Sequence, residues 1–311
     1  MKENKKGKVY MTIGLPCTGK STYAKRIKQK YGDKCVVLDS DDIRMELFGE
    51  ELQTQNKKVF EVMEQRTKQA LKEDKDVIYC ATNLNRKQRM HFINHVCKGY
   101  DVIGLFFTIT LGNYLEKNYI RRYVRNIPTE KLELMYQNID VPLYLEGFKK
   151  IYINNDTPLY FNKEKPIVDY LFEYDQNTPY HNQTLGNHIK SVVDYIHNGN
   201  IEGLDTYHRN ILEIVGYFHD LGKPYTRTEI EDEKGARSRY FNHEKVSAYI
   251  YSMFISNGLI SKENDMILTL IAYHMGVYSY KQNLSKLEKL VGSENYNLLL
   301  QFNQADSYRE E

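Results

Sequence analysis

No apolar run in this 311-residue sequence approaches the roughly 20 residues of a membrane span. The opening Met1-Lys2-Glu3-Asn4-Lys5-Lys6 also lacks the apolar core of a signal peptide, so the sequence predicts a cytoplasmic protein with no membrane partner. Cysteine is scarce. Cys17, Cys35, Cys80 and Cys97 show no CxxC spacing and no paired pattern, which fits reduced thiols. Net charge is only +2, so any grip on nucleic acid has to come from local basic clusters rather than the field of the whole chain. Internal repeats and long low-complexity tracts are absent as well.

What is present divides into two halves. All four cysteines precede residue 100, whereas seven of the nine histidines follow residue 180. In the front half, short apolar runs (Val9–Ile13, Cys35–Leu38, Val77–Cys80, Val102–Phe107) alternate with helical patterns such as Phe60, Met63, Thr67, Ala70 and Leu71. That alternation predicts an α/β domain, a parallel sheet with flanking helices. Ile151–Ile153 would be its last strand. Turn-rich residues from Asn154 to Pro158 and from Lys163 to Pro166 form the expected linker. The periodicity beyond is helical almost throughout, apart from a hairpin or loop near Thr226–Tyr240. The expected organisation is a front domain over 1–160 and an all-α domain over 166–311.

Gly14-Leu15-Pro16-Cys17-Thr18-Gly19-Lys20-Ser21 spells a complete phosphate-binding loop between a strand-like and a helix-like run. Backbone N–H groups from Gly14 through Thr18 and Gly19 to Thr22, at the helix start, would face phosphate. Lys20 would reach the β/γ oxygens, and the Ser21 hydroxyl suits Mg²⁺. The expected ligand is ATP or another nucleoside triphosphate with Mg²⁺.

Acceptor residues are sought at the carboxyl ends of the other strands. After the second strand comes Asp39-Ser40-Asp41-Asp42-Ile43-Arg44. A carboxylate there can take a hydroxyl proton and the arginine can hold an anion, or the acids can cap a helix. After the third strand, Asn85 and Gln88 make a capping box, which leaves Thr82 and Asn83 unexplained. Arg121, Arg122 and Arg125 precede Pro128, as an exposed basic helix end or as a lid over the triphosphate. Together, the loop, Asp41-Asp42-x-Arg44, Thr82-Asn83-Leu84-Asn85 and Arg122…Ile127-Pro128 resemble the polynucleotide 5′-kinase family over about residues 8–150. The resemblance implies Lys20 and Ser21 on the donor phosphates and Mg²⁺, and Asp41 as general base. It further implies Arg44 on the acceptor's phosphate, and Arg122, with Arg125 second, as lid arginines on the donor. One departure stands out. Family members carry an Asp directly before the Thr-Asn pair or one residue earlier, where this chain has Ala81 and Cys80. Either Asp39 or Asp42 substitutes, or Ser21, phosphates and water hold the metal.

The rear half places polar ligands on apolar helical stripes. His188 lies among Leu185, Ile189 and Val192, and His219-Asp220 ends an apolar helix closed by Gly222 and Pro224. His243 lies among Val246 and Ile250, His274 follows Leu270 and Ile271, and Asp306 follows Leu299 and Phe302. Five helices each turning His or Asp inward suggest a metal cage, and imidazole with carboxylate suits Mn, Fe, Co, Ni or Zn. The pattern resembles the HD-domain phosphohydrolases. That resemblance implies His188, His219, Asp220 and Asp306 on one metal, and His243 and His274 on a second bridged by Asp220. Lys223 would meet substrate phosphate, and His181 is either a further substrate contact or a helix-entry turn.

A 5′-hydroxyl kinase joined to a metal phosphoesterase suits broken nucleic acid. RNA stands ahead of DNA, because many RNA-cleaving nucleases leave 5′-hydroxyl and 2′,3′-cyclic phosphate ends. The expected function is end healing, with nucleic-acid ends as partners and a separate ligase as a candidate one. The alternatives are a small-molecule or nucleoside kinase fused to a nucleotide phosphohydrolase, and a non-catalytic nucleotide-sensing module.

Overall fold

Val9–Ile13 and Val102–Thr108 are nearly all apolar, as strands covered on both faces must be, and both lie inside the sheet. The structure, a computed structural model, describes residues 6–49, 55–121, 127–156, 158–160, 169–179, 182–232 and 235–308. The front elements are β1 (Val9–Ile13), α1 (Lys20–Tyr31), β2 (Cys35–Asp39), α2 (Ser40–Phe48), α3 (Asn56–Lys72) and β3 (Asp76–Cys80). They continue with α4 (Arg86–His91), β4 (Val102–Thr108), α5 (Leu111–Arg121), α6 (Thr129–Gln137) and β5 (Lys150–Asn155). The rear elements are α7 (Leu185–His197), α8 (Thr206–Phe218), α9 (Lys223–Thr226), β6 (Arg227–Asp232), β7 (Gly235–Tyr240) and α10 (His243–Ser252). After these come β8 (Gly258–Leu259), α11 (Lys262–Tyr273), α12 (Gly276–Ser279), α13 (Leu284–Val291) and α14 (Ser293–Asp306).

The sheet order is β2-β3-β1-β4-β5-β8, parallel through β5. Its middle strand, β1, has β3 on one side and β4 on the other, so the loop leaving β1 opens at the point where strand order reverses. Ligands of such sheets bind there. The sheet does not end at Ile151–Ile153. β5 is longer, and β8 pairs with it antiparallel through Tyr152↔Leu259 and Ile153↔Gly258. Two residues are too few to carry a strand signal in sequence. Ile260 N–H donating to Ile151 O and Tyr144 OH donating to Ile260 O, both at 2.9 Å, hold this segment.

Two compact units result: Met1–Pro158 with Ser256–Ile260, and Leu159–Ile255 with Ser261–Glu311. The second is helical, with its core on the stripes of α7, α8, α10, α11 and α14. The stretch near 226–240 is a hairpin, β6 against β7 from Arg227↔Tyr240 to Asp232↔Gly235. One expectation needs correcting. Gly222 is no left-handed helix stop: its φ is −76° and it caps the start of α9, with Pro224 inside that helix's first turn. Glycine is required there for another reason, since a Cβ would lie 2.1 Å from the His243 carbonyl oxygen. No helix of the described residues is long and apolar enough to cross a membrane.

Candidate functional site

The phosphate loop turns out of β1 at Gly14, whose φ of 150° and 2.5 Å gap between a would-be Cβ and Phe107 O admit only glycine. Gly14 N–H donates to Thr82 O at 2.9 Å, tying the loop to the exit of β3. Gly19, at φ 88°, delivers the chain into α1. Lys20 opens that helix almost fully buried, with Nζ donating to Leu15 O at 2.5 Å and Thr18 Oγ1 at 3.2 Å. Burial pushes its ammonium down to about 8. The cation is thus folded across its own loop, on acceptors that a phosphate oxygen can replace. Thr22 lies exposed beside Ser21 in the first turn.

Ser21 Oγ donates to Asp39 Oδ2 at 2.9 Å and lies 3.8 Å from Cys80 Sγ. A hydroxyl beside a buried carboxylate is the hard oxygen set that Mg²⁺ takes, so these residues fit a nucleotide–Mg²⁺ complex. Asp39 Oδ1 accepts Asp41 N–H at 2.9 Å and caps α2. Because Asp39 does the capping, the Asp41 carboxylate is left one-third exposed and pairs with Arg44 NH1 at 2.7 Å. Arg44 is 2% exposed, and its NH2 donates to Asn56 Oδ1 at 2.8 Å. Asn83 adopts φ 46° and donates Nδ2–H to Thr12 O at 2.7 Å, so the Thr82-Asn83 bend wraps the base of the loop. Asn85 Oδ1 accepts Gln88 N–H at 3.1 Å, the cap read from the sequence. Arg122, Arg125 and His181 lie outside the described residues.

In the rear unit the five inward helices do meet. His188 Nε2 lies 3.3 Å from His219 Nε2, and both lie near Asp220 Oδ2 (3.4 and 3.3 Å) and Asp306 Oδ1 (3.2 and 3.3 Å). On the other carboxylate oxygen, Asp220 Oδ1, His243 Nε2 stands at 3.2 Å and His274 Nε2 at 3.8 Å, with 3.1 Å between the two imidazoles. Two ligand groups therefore share Asp220, one on each oxygen: His188, His219 and Asp220, and Asp220, His243 and His274. The orientation has a local cause. Nδ1 of His219, His243 and His274 lies 2.7–2.8 Å from the carbonyls of Gly216, Tyr240 and Ile271. A carbonyl only accepts, so each Nδ1 carries a proton and each Nε2 faces the centre, where a neutral ring would offer its lone pair.

Charge follows the same geometry. Burial alone would raise the Asp220 carboxyl, but Lys223, His219 and His188 outweigh it and hold it well below the usual range. Asp306 is likewise lowered against its burial by His188 and His219. His219 is pulled down by burial yet raised to about 10 by Asp220 and Asp306. His274 is pushed down to about 3 by burial, then by His243 and His219, so its imidazole is neutral. Lys223, a sequence candidate for substrate phosphate, instead donates to Asp220 Oδ2 and to Gln176 Oε1, both at 2.7 Å.

Residues 9–142 match the AAA domain family and residues 185–309 match the HD domain family. The chain pairs a P-loop AAA domain with an HD domain. Similar solved structures include two chains of Pnkp1/Rnl/Hen1 complexes, one described as an RNA repair complex. Both are 23% identical, with TM-scores of 0.33 and 0.37, and they cover 40% and 42% of this chain and 42% of their own length. This chain thus spans about two fifths of those chains. A gluconokinase from Sinorhizobium meliloti is 16% identical over 49% of this chain and 83% of its own, with a TM-score of 0.35. No curated protein matches the sequence.

Two residues escaped the sequence reading. Arg89 of the AAA domain is 1% exposed, makes two 2.7 Å bonds to Glu146, and donates to the carbonyls of Asn83, Leu84, Asp140 and Val141. It braces the turn after β3 that carries Thr82 and Asn83. In the second compact unit, ahead of the HD match, Gln176 is fully buried. Besides meeting Lys223, it donates Nε2–H to Gln183 O at 3.1 Å and accepts Tyr240 OH on its own carbonyl at 2.6 Å. In sequence, Arg89 looks like one more surface cation of a basic helix, and Gln176 like a loop residue.

Proposed function

We propose that this chain heals broken nucleic-acid ends, phosphorylating 5′-hydroxyls with ATP and removing 2′,3′-cyclic or terminal phosphate at the 3′ end, with RNA as the main substrate. The observation that carries the reading is the rear cluster, in which one carboxylate presents its two oxygens to two separate histidine pairs. An arrangement of that kind suits phosphoester hydrolysis. In front, the Asp41–Arg44 pair sits one helical turn beyond Asp39, the carboxylate bonded to the loop serine.

In the kinase half, Lys20 binds donor phosphate oxygens and Ser21 is the Mg²⁺ ligand. Asp41 takes the proton of the 5′-hydroxyl as its oxygen bonds the γ-phosphorus and ADP leaves. Arg44 holds the acceptor's phosphate, Thr82 and Asn83 form the wall beside it, and Arg122 with Arg125 covers the donor. In the phosphoesterase half, His188, His219, Asp220 and Asp306 would hold one metal, and Asp220, His243 and His274 a second. Divalent metals bound there supply an activated water and charge stabilisation for the phosphate. His181 is assigned a substrate contact, and Lys223 exchanges its bond to Asp220 for one to phosphate.

The test is an oligoribonucleotide bearing 5′-hydroxyl and 2′,3′-cyclic phosphate ends, incubated with radiolabelled ATP and a panel of divalent metals. Label on the 5′ end and opening of the cyclic phosphate are expected. Transfer of label only to small molecules would overturn the kinase reading, and intact cyclic ends with every metal would overturn the phosphoesterase reading.

A further inference from the structure

The β6–β7 hairpin is inserted between the two halves of the rear cluster. Its first strand follows directly on α9, which starts at Lys223, and its second runs through Tyr240 into His243. One face is fastened down. Arg227 lies over the Tyr174 ring (5.5 Å) and donates to Asp175 O at 2.9 Å, Ser238 N–H donates to Asn177 O at 2.8 Å, and Tyr240 OH reaches Gln176 O. Strand alternation puts Thr228, Ile230, Arg237 and Arg239 on the opposite face, where the register pairs Thr228 with Arg239 and Ile230 with Arg237. Phe241 continues that row just past the strand. It is 71% exposed, with the Arg239 guanidinium 6.0 Å from its ring.

Phe241 stands two residues before His243, a candidate metal ligand. An aromatic ring preceded in its row by two arginines matches one chemistry well: a base stacks on the ring while the cations meet phosphates along the strand. We propose that Arg237, Arg239 and Phe241 form the platform on which the 3′-terminal nucleotides of a single-stranded nucleic acid lie as the end enters the rear cluster. This rests on the phosphoesterase reading above and adds what grips the strand. The hairpin's two anchors, at Lys223 and His243, fix the platform's distance from the cluster, so the grip measures out the terminal nucleotide.

The full-length protein is irradiated with an oligoribonucleotide ending in 4-thiouridine, and the crosslinked peptide is identified by mass spectrometry. A crosslink within residues 236–241 is expected, and one confined to other segments overturns the proposal. In parallel, Phe241→Ala should raise the KM for oligonucleotide 3′ ends by about tenfold with kcat little changed, and Phe241→Tyr should restore it. An unchanged KM in Phe241→Ala and in the Arg237→Gln/Arg239→Gln double variant would refute the platform while leaving the phosphoesterase intact. If the wild type opens no cyclic end yet the crosslink still maps to Phe241, the reaction assignment fails and the platform stands.

Discussion

Ser21 of the phosphate loop and Asp39 at the end of β2 share a 2.9 Å hydrogen bond, and Asp39 pairs in register with Cys80 on β3. The third-strand carboxylate expected from the kinase resemblance is missing from this chain, and a second-strand carboxylate stands beside the same hydroxyl. Asp39→Asn keeps the helix cap through Oδ1 and turns its Nδ2–H to donate to Ser21 Oγ, so the fold is retained. The prediction is that it lowers the gain in ATP affinity conferred by Mg²⁺ by about tenfold. Adding Cys80→Asp returns a carboxylate one strand away and should restore that gain. Titration of a fluorescent ATP analogue with and without Mg²⁺ measures both, and an undiminished Mg²⁺ effect in Asp39→Asn removes Asp39 from the metal.

Lys20 leads to a pH prediction. Its charged form is disfavoured by burial, with the ammonium at about 8, whereas bound phosphate favours that form. Below pH 8 the cation is already present and binding needs no proton at this site. Above pH 8 binding has to take one up, so ATP affinity should fall by up to about tenfold per pH unit. Calorimetry at pH 9 in two buffers of different ionisation enthalpy should show the uptake in the wild type and not in Lys20→Met. Equal heats in the two buffers for the wild type would contradict the assignment.

Asp220 is the one residue common to both histidine groups of the rear cluster, and His243 and His274 lie on its Oδ1 side. Asp220→Ala should therefore lose both metals and all phosphoesterase activity, while His243→Ala should lose one metal and keep the other. Plasma mass spectrometry of the purified variants gives the count. Kinase activity should survive in both. Loss of all metal in His243→Ala would mean a single shared ion rather than two.

Much of this site was legible because each ligand breaks a pattern. His188 interrupts the stripe Leu185, Ile189, Val192, and His219-Asp220 ends an apolar helix, so periodicity alone exposed them. The phosphate loop announced itself by spacing. What stayed hidden depends on neighbours distant in sequence. Ser21 and Asp39 meet only because the start of α1 lies beside the end of β2, and β8 is two residues long. Gly222 read as a stop signal because glycine so often ends helices, and the His243 carbonyl that actually demands it comes 21 positions later.

That close approach makes Gly222 a test of how the second metal group is positioned. Alanine there must displace the His243 backbone, since its Cβ would lie 2.1 Å from the carbonyl oxygen and 2.9 Å from Ser247 N. Gly222→Ala should cost about 1–3 kcal/mol in unfolding free energy and drop metal content at the His243–His274 side first. Urea unfolding and metal analysis on one preparation check both. Full metal occupancy in a folded Gly222→Ala would show that α10 tolerates the shift.

Arg89 and Glu146 make the strongest stability prediction. Both are buried, joined by two 2.7 Å bonds, and Arg89 also holds four carbonyls around the turn after β3. Arg89→Met leaves the buried Glu146 carboxylate only Arg86 Nε at 3.4 Å and the Leu143 N–H at 3.1 Å, which should cost about 3 kcal/mol. Adding Glu146→Gln removes the stranded charge and should recover part of that loss. The carbonyls of Asn83, Leu84, Asp140 and Val141 still lack their Arg89 donor, so the recovery is incomplete. Because the same turn carries Thr82 and Asn83, kinase turnover should fall in the double variant even where it is folded. Urea unfolding of the single and double variants, with 5′-phosphorylation measured at a temperature where both are native, separates the two effects. Equal stability of Arg89→Met and wild type would mean that Arg89 fills space in the turn without holding it.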